Sequence, residues 1–159
     1  MERHIEPAVA LAYLLQHTAA MMGRQTDQML QERLGIGISQ LRILMMLQRE
    51  PNMQQRKLAD VLGQTEASVS RQIKLLEQKG LLTVRVNPKS RREHQMIPEP
   101  KGVKVTEAAL EVVNQYAAPI AELLTDKQRE QLNEMFTLIH GHVCAPGKLY
   151  ACNHAFDEP

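Results

Sequence analysis

The sequence predicts a mainly α-helical fold, of the α+β class, in which two short helices and one β-hairpin lie between longer helices. Three observations predict it. Apolar residues recur at helical spacing along most of the 159 residues. Glycine and proline residues interrupt this spacing and divide it into separate helices. Only residues 82–86 and 95–97 look like strands, on either side of a turn signal.

The N-terminal part of the chain predicts two helices. The first covers about residues 7–34 and has a proline where a first helical turn accepts one. Gly35 and Gly37 end it, and Ser39 then caps a second helix that stops before Pro51. The apolar positions that define these helices include Leu11, Leu14, Leu15, Met22, Met29, Leu30, Leu41, Leu44, Met45 and Leu47.

Two short helices follow, joined by a tight turn. Asn52 is predicted to cap the first, and Gly63 to end it, because glycine tolerates the positive φ of a helix end. Thr65 is predicted to cap the second, which Gly80 stops. Their apolar stripes are Leu58, Ala59 and Leu62 in the first and Val69, Ile73 and Leu76 in the second. Such a pair is a helix-turn-helix, whose second helix enters the major groove of DNA.

A basic β-hairpin comes next. Residues 82–86 predict a strand, Asn87-Pro88 a turn, and residues 95–97 the returning strand, with Lys89, Arg91 and Arg92 at the tip. A helix-turn-helix followed by such a hairpin is a winged helix. The predicted contacts with bases and phosphates are Thr65, Glu66, Ala67, Ser68, Ser70, Arg71 and Lys74 on the second helix, and Arg85, Lys89, Arg91 and Arg92 on the hairpin.

The distribution of charge favours this interpretation. A basic turn alone is more often a solvated loop than a DNA contact. Residues 64–104, however, hold nine basic and four acidic side chains, a net charge of +5. Since the whole chain carries +1, the remainder carries −4. A basic region on an otherwise acidic molecule is typical of a DNA-binding protein.

The C-terminal half predicts two more helices. One resumes near Lys101 and is expected to kink at Pro119, and Thr125 with Gln128 predicts a capping box that starts the last. Together with the first helix they carry more apolar surface than a small winged-helix domain can cover. Such faces are usually buried against a second copy, which predicts a two-fold homodimer, and an intramolecular bundle is the alternative.

Residues 41–93 resemble the multiple antibiotic resistance regulator (MarR) family, and the resemblance extends more weakly from about Leu11 to about Ile139. The shared motifs are Leu-Ala-x-x-Leu at residues 58–62 and Leu-Glu-x-x-Gly-Leu at residues 76–81. At the wing, Ser90 stands where the family has an acidic residue, and Arg92 matches the arginine that enters the minor groove. The resemblance implies that the terminal helices form the dimer interface.

The same resemblance implies a domain division and an effector site. Residues 1–144 are expected to form a single MarR-like domain, with a DNA-binding winged helix at about 39–98, dimerisation helices at about 7–34 and 100–142, and a tail at 145–159. A cavity between the dimer helices and the DNA-binding lobe takes phenolic or other amphiphilic compounds in that family. The residues expected to line it are Tyr13, His17, Met21 and Met45, for each of which core packing is the alternative.

The end of the chain concentrates metal-binding and redox-active side chains, namely His140, His142, Cys144, Cys152 and His154. Two Cys and two His can complete a tetrahedral zinc site, although their spacing matches no zinc-finger pattern. Reversible oxidation of the two cysteines is a further alternative. A polar tail that collects histidine without any such function is the third.

We therefore expect a dimeric, ligand-responsive repressor that binds an inverted-repeat operator in double-stranded DNA and requires no cofactor. A redox- or metal-sensing regulator of the same fold, or a winged-helix protein-interaction module without DNA binding, are the alternatives. Low aromatic content argues against stacking on RNA or single strands, and catalytic motifs such as His-Glu-x-x-His are absent, which argues against an enzyme. A chain without 18 consecutive apolar residues or a signal-peptide pattern is expected to be cytoplasmic and not membrane-bound.

Overall fold

The computed structural model describes residues 6–87 and 90–143, without the side chains of residues 86–87 and 90–94. Helices precede and follow a single two-stranded antiparallel sheet. The elements in order are α1 (Pro7–Leu34), α2 (Ile38–Arg49), α3 (Gln55–Leu62), α4 (Glu66–Gln78), β1 (Leu82–Asn87), β2 (Ser90–Pro98), α5 (Pro100–Glu122) and α6 (Asp126–Val143). The predicted winged helix-turn-helix is confirmed.

The junction between α1 and α2 differs from the prediction in its cap. Gly35 ends α1 with a φ of 66°, as predicted. Ser39, however, lies inside α2 and does not cap it. The first backbone N–H of α2, that of Ile38, instead donates to Asp27 Oδ1 at 2.8 Å. The prediction was wrong because the capping carboxylate comes from α1, eleven residues earlier, where local sequence patterns do not reach.

The helix-turn-helix follows its prediction except at its first residue. Asn52 does not cap α3: it lies in a turn with φ 69°, a left-handed conformation that asparagine tolerates, and α3 begins three residues later. Gly63 ends α3 with φ 60°. Thr65 caps α4 as predicted, since its Oγ1 accepts a hydrogen bond from Ser68 N at 3.2 Å.

The hairpin is longer than predicted. β2 begins at Ser90, so that Arg91 and Arg92 belong to a strand and only residues 88 and 89 separate the two strands. Thr83 pairs with Ile97 and Arg85 with Gln95, and the register shifts after Val86. The β2 prediction stopped short because residues 90–94 are polar and carry no apolar alternation.

The hydrophobic core lies within the winged helix. It comprises Leu30, Ile36, Leu41, Ile43, Leu44, Met46, Leu47, Met53, Leu58, Ala59, Val69, Ile73, Leu76, Leu81, Leu82, Met96, Ala109 and Val112. The three predicted apolar positions of α4 are all buried. Only the last part of α1 and the first half of α5 contribute to this core, so the two long helices are anchored to it at one end each.

The remaining helical surface is exposed. α6 starts with the predicted capping box, in which Thr125 N donates to Gln128 Oε1 at 2.9 Å, yet none of its residues is buried. α5 runs through Pro119 and ends three residues later. Among the described residues, no helix combines the length and apolarity needed to cross a membrane.

Candidate nucleic-acid interface

The outward face of α4 is formed by Ala67, Arg71 and Lys74. Successive residues of an α-helix are about 100° apart, so these three lie opposite the buried stripe that begins at Val69. All three are exposed. The structure therefore brings two of the predicted basic residues onto one free surface of the helix-turn-helix.

Three other predicted contacts on α4 do not lie on that face. Ser68 and Ser70 are half-buried, and Ser68 Oγ lies 3.5 Å from Gln64 Oε1. Glu66 is exposed but lies near Arg56, with 3.9 Å between Oε1 and Nε. We infer that Ser68 and Ser70 flank the outward face, while Glu66 faces the start of α3. Contact of these three residues with DNA stays a prediction.

The hairpin contributes a third described cation. Arg85 lies in β1 with an exposed side chain, paired in register with Gln95 of β2. Arg91 and Arg92 lie in β2, but their side chains are outside the described part of the structure. Lys89 lies outside the described residues altogether. The predicted contacts of these three residues therefore stay predictions.

Polar contacts hold α4 against its neighbours. The Gln64 amide, in the turn before α4, donates to Ser39 Oγ of α2 at 2.9 Å. Near the other end of α4, Glu77 Oε1 accepts a hydrogen bond from the backbone of Val84 in β1 at 3.2 Å. These contacts fix α4 relative to both α2 and the hairpin. Local patterns did not reveal them because each joins two different elements.

The four predicted effector residues lie on two helices. Tyr13 and His17 stack on the exposed surface of α1, with ring centroids 5.7 Å apart. Met21, also on α1, is half-buried, and Met45 of α2 packs against the core.

A surface cavity of about 390 Å³ lies elsewhere, between the end of α2, β2 and the start of α5. It is lined by Leu47, Gln48, Pro51, Asn52, Met96, Ile97, Pro98 and Val103. None of the four predicted effector residues lines it, and their role stays a prediction.

The predicted metal and redox residues fall mostly beyond the described part of the chain. His140 and His142 are exposed in the last turns of α6. Cys144, Cys152 and His154 lie outside the described residues. Within residues 6–87 and 90–143, no group of three His, Cys, Asp or Glu side chains is arranged to hold a metal ion. The zinc and redox alternatives therefore stay predictions.

Comparison with known proteins identifies the winged helix. Residues 34–93 match the family model described as "MarR family". This range contains the helix-turn-helix and most of the hairpin. A search of curated proteins gave no match.

Solved structures of similar fold extend the comparison to the long helices. A Staphylococcus aureus MepR–DNA complex superposes with a TM-score of 0.73 at 23% identity, over 83% of this chain and 96% of that chain. A MarR/EmrR family transcriptional regulator from Acinetobacter sp. ADP1 gives 0.73 at 21% identity, over 87% and 98%. CouR from Rhodococcus jostii RHA1, bound to p-coumaroyl-CoA, gives 0.68 at 18% identity, over 81% and 90%.

Proposed function

We propose that this chain, whose winged helix-turn-helix belongs to the MarR family, is a dimeric transcriptional repressor that binds double-stranded DNA. The observation that carries the proposal is the outward face of α4, on which Arg71 and Lys74 are exposed, while Arg85 is exposed on the adjoining hairpin. The first helix of the pair, α3, is packed against α4. The activity that we propose is binding of DNA and not catalysis.

The proposed division of labour among the side chains follows from their chemistry. Arginine and lysine neutralise phosphates without regard to sequence, whereas contacts with base edges specify it. We assign Arg71 to the major groove, because it lies in the first half of α4, and Lys74 with Arg85 to the phosphates. Lys89, Arg91 and Arg92 are proposed to extend the contact toward the minor groove.

The exposed apolar surface supports a homodimer. Leu11 and Leu14 of α1 are 56% and 61% exposed, and Phe136 of α6 is 46% exposed. Exposed apolar residues that recur along one helix usually mark a protein–protein contact. A two-fold dimer places its two recognition helices in successive major grooves, about 34 to 36 Å apart. An operator with inverted half-sites is the expected target.

Regulation by a small molecule is the second part of the proposal. A ligand shifts the protein between two spacings of its DNA-binding lobes only if it binds one of them more tightly. The solved structure of CouR, a protein of similar fold, contains bound p-coumaroyl-CoA, an aromatic acyl thioester. We propose an amphiphilic effector, bound either near Tyr13, His17, Met21 and Met45 or in the cavity beside Gln48. No resident cofactor is proposed.

Selection of bound sequences from random duplex DNA tests the proposal. The purified chain of 159 residues should enrich a motif with inverted half-sites, and its affinity for that motif should fall steeply with salt, because phosphate contacts release counterions. A regulator of this kind acts where the bacterial chromosome lies, in the cytoplasm. Failure to enrich any motif, with no binding to duplex DNA in dilute buffer, would contradict the proposed function.

A further inference from the structure

The C-terminal end of α4 is connected by a lysine to the helices that precede it. Lys79 is the C-cap of α4. Its ammonium donates hydrogen bonds to the backbone oxygen of Gly35 and, at 3.2 Å, to Gln40 Oε1. Gly35 ends α1, and Gln40 lies buried in the first turn of α2. One side chain thus joins the recognition helix to the junction of two other helices.

A second lysine, from a helix that follows α4 in the sequence, contacts the same end of α4. Lys101, in the first turn of α5, donates from Nζ to the backbone oxygen of Lys79 at 3.0 Å. The last carbonyls of a helix have no partner within it and carry partial negative charge, so a cation stabilises them. Together the two lysines connect α4 to α1, α2 and α5.

A small rotation of α4 about its C-terminal end displaces its N-terminal end by several ångströms. The helix has 13 residues and is therefore roughly 20 Å long. A rotation of about 10° about its C-terminal end moves its N-terminal end by about 3 Å, close to the roughly 3.4 Å between successive base pairs. Contacts that fix the direction of α4 therefore determine which base pairs its first half reaches.

We propose that Lys79 is a positioning residue that sets the distance between the two recognition helices of the dimer. It holds α4 at a fixed angle to α1, the helix that bears exposed apolar residues for the partner, and Lys101 reinforces it. The inference rests on the proposed function, in which a dimer binds two half-sites. Two of the three N–H donors of the Lys79 ammonium are directed to Gly35 and Gln40, and we assign the side chain to this internal contact and not to DNA.

Binding to operators of altered spacing tests this role. The probe is the duplex that wild-type protein selects from random DNA, together with versions that carry one or two base pairs more or fewer between the half-sites. The wild-type protein should prefer the selected spacing by about tenfold or more. In Lys79→Met this preference should fall below about threefold, while the salt dependence of binding stays unchanged.

Three further variants define the cause. Lys79→Arg keeps a cationic donor and should restore part of the preference, and Lys101→Met should weaken it less than Lys79→Met does. Lys104→Met removes an exposed cation one turn further along α5 and should leave the preference intact. If Lys79 is an ordinary phosphate contact, Lys79→Met will instead weaken binding to every duplex alike and lower the salt slope by about 1. That result overturns the inference.

A distance measurement tests the same inference without DNA. Spin labels at Ala20→Cys on α1 and Ala67→Cys on α4, in a Cys144→Ser, Cys152→Ser background, report the angle between the two helices. Dilution with unlabelled protein restricts the reading to pairs within one chain. The distance distribution should be narrow with Lys79 present and broader in Lys79→Met. An equally narrow distribution in both proteins overturns the inference. A broader distribution in Lys79→Met supports the positioning role of Lys79 even if the chain binds no DNA, so this result does not depend on the proposed function.

Discussion

Gly102 lies where the first turn of α5 approaches the segment after α4. A Cβ atom at this position would lie 2.0 Å from the backbone oxygen of Leu81 and 3.0 Å from its carbonyl carbon. The same glycine offers its backbone oxygen to Thr106 Oγ1 at 2.9 Å, and that hydroxyl accepts a hydrogen bond from Gln48 of α2. The absence of a side chain at one residue thus permits α5 to pack against both α2 and the recognition unit.

Gly102→Ala is expected to destabilise the protein despite the higher helix propensity of alanine. The new methyl group meets backbone atoms, which cannot rotate away, so α5 must shift at a cost of about 1–3 kcal/mol. Equilibrium urea unfolding at fixed protein concentration measures the change in free energy of unfolding. Gly23→Ala is the matched control, because a Cβ there meets nothing within 4 Å, and it should stabilise α1 by about 0.5–1 kcal/mol. Equal effects of the two substitutions would contradict the close approach.

The basic side chains of the interface should separate into two classes by their response to salt and sequence. Arg71→Ala should relax base preference at one operator position, at a cost of about 1–3 kcal/mol. Arg92→Ala should weaken binding to all duplexes and lower the salt slope by about 1. Competition binding at several salt concentrations measures both. Lys127→Ala, on α6, should change neither, and an Arg92→Ala variant that binds like wild type would remove the wing from the mechanism.

Individual elements depend on caps that neighbouring elements supply. The first N–H of α2 is satisfied by Asp27 of α1, and a Cβ on Gly37 would lie 2.8 Å from the same carboxylate oxygen. The glycine at the junction therefore leaves room for the carboxylate. Because α2 supplies much of the core, the start of this helix affects the stability of the whole winged helix.

Asp27→Ala should lower the free energy of unfolding by about 1 kcal/mol, the usual contribution of an N-cap side chain. Asp27→Asn retains an oxygen acceptor and should lose less. Thermal and urea unfolding, followed by circular dichroism, compare the two. An Asp27→Ala variant as stable as the wild type would show that the hydrogen bond between the α1 carboxylate and Ile38 does not contribute to stability.

The molecule has two parts that differ in burial: a well-packed winged helix, and long helices of which few side chains are buried. α6 has no buried residue, and the N-terminal half of α1 is almost entirely exposed. On α6 five of the six exposed apolar side chains form one stripe, composed of Leu132, Met135, Phe136, Ile139 and Val143, and Leu138 lies to one side of it. A stripe at this spacing that the described part of the chain leaves exposed is expected to be covered in the dimer.

Phe136→Asp should therefore shift the protein from dimer to monomer. A carboxylate in the middle of an apolar interface loses its hydration without gaining a partner, which costs several kcal/mol. Sedimentation equilibrium measures the dissociation constant. Thr137→Asp introduces the same charge about 100° further around α6 and should leave the dimer intact. Dimers of unchanged affinity in both variants would place the interface on other helices.

The sequence predicted the helices and the hairpin where local signals are strong. The Thr65 cap, the ends at Gly63 and Gly80, and the stripe from Val69 to Leu76 all depend on residues within one or two turns of each other. The predictions failed at Asn52 and Ser39, two residues with suitable cap chemistry. At Ser39 the distant Asp27 carboxylate caps α2 instead. Asn52 lies in a left-handed turn before α3 begins, so in both cases the surrounding backbone outweighs local propensity.

By itself, the amino-acid sequence determined the order of the elements, the buried face of α4 and the basic character of its surroundings. These follow from periodicity and side-chain type, which are properties of neighbouring residues. Only the tertiary structure decided that Asp27 caps α2, that Lys79 joins α4 to the end of α1, and that Gly102 contacts Leu81. Such contacts arise when the core brings distant segments together. Their partners are far apart in the sequence, 44 residues for Lys79 and Gly35, so no local sequence pattern indicates them.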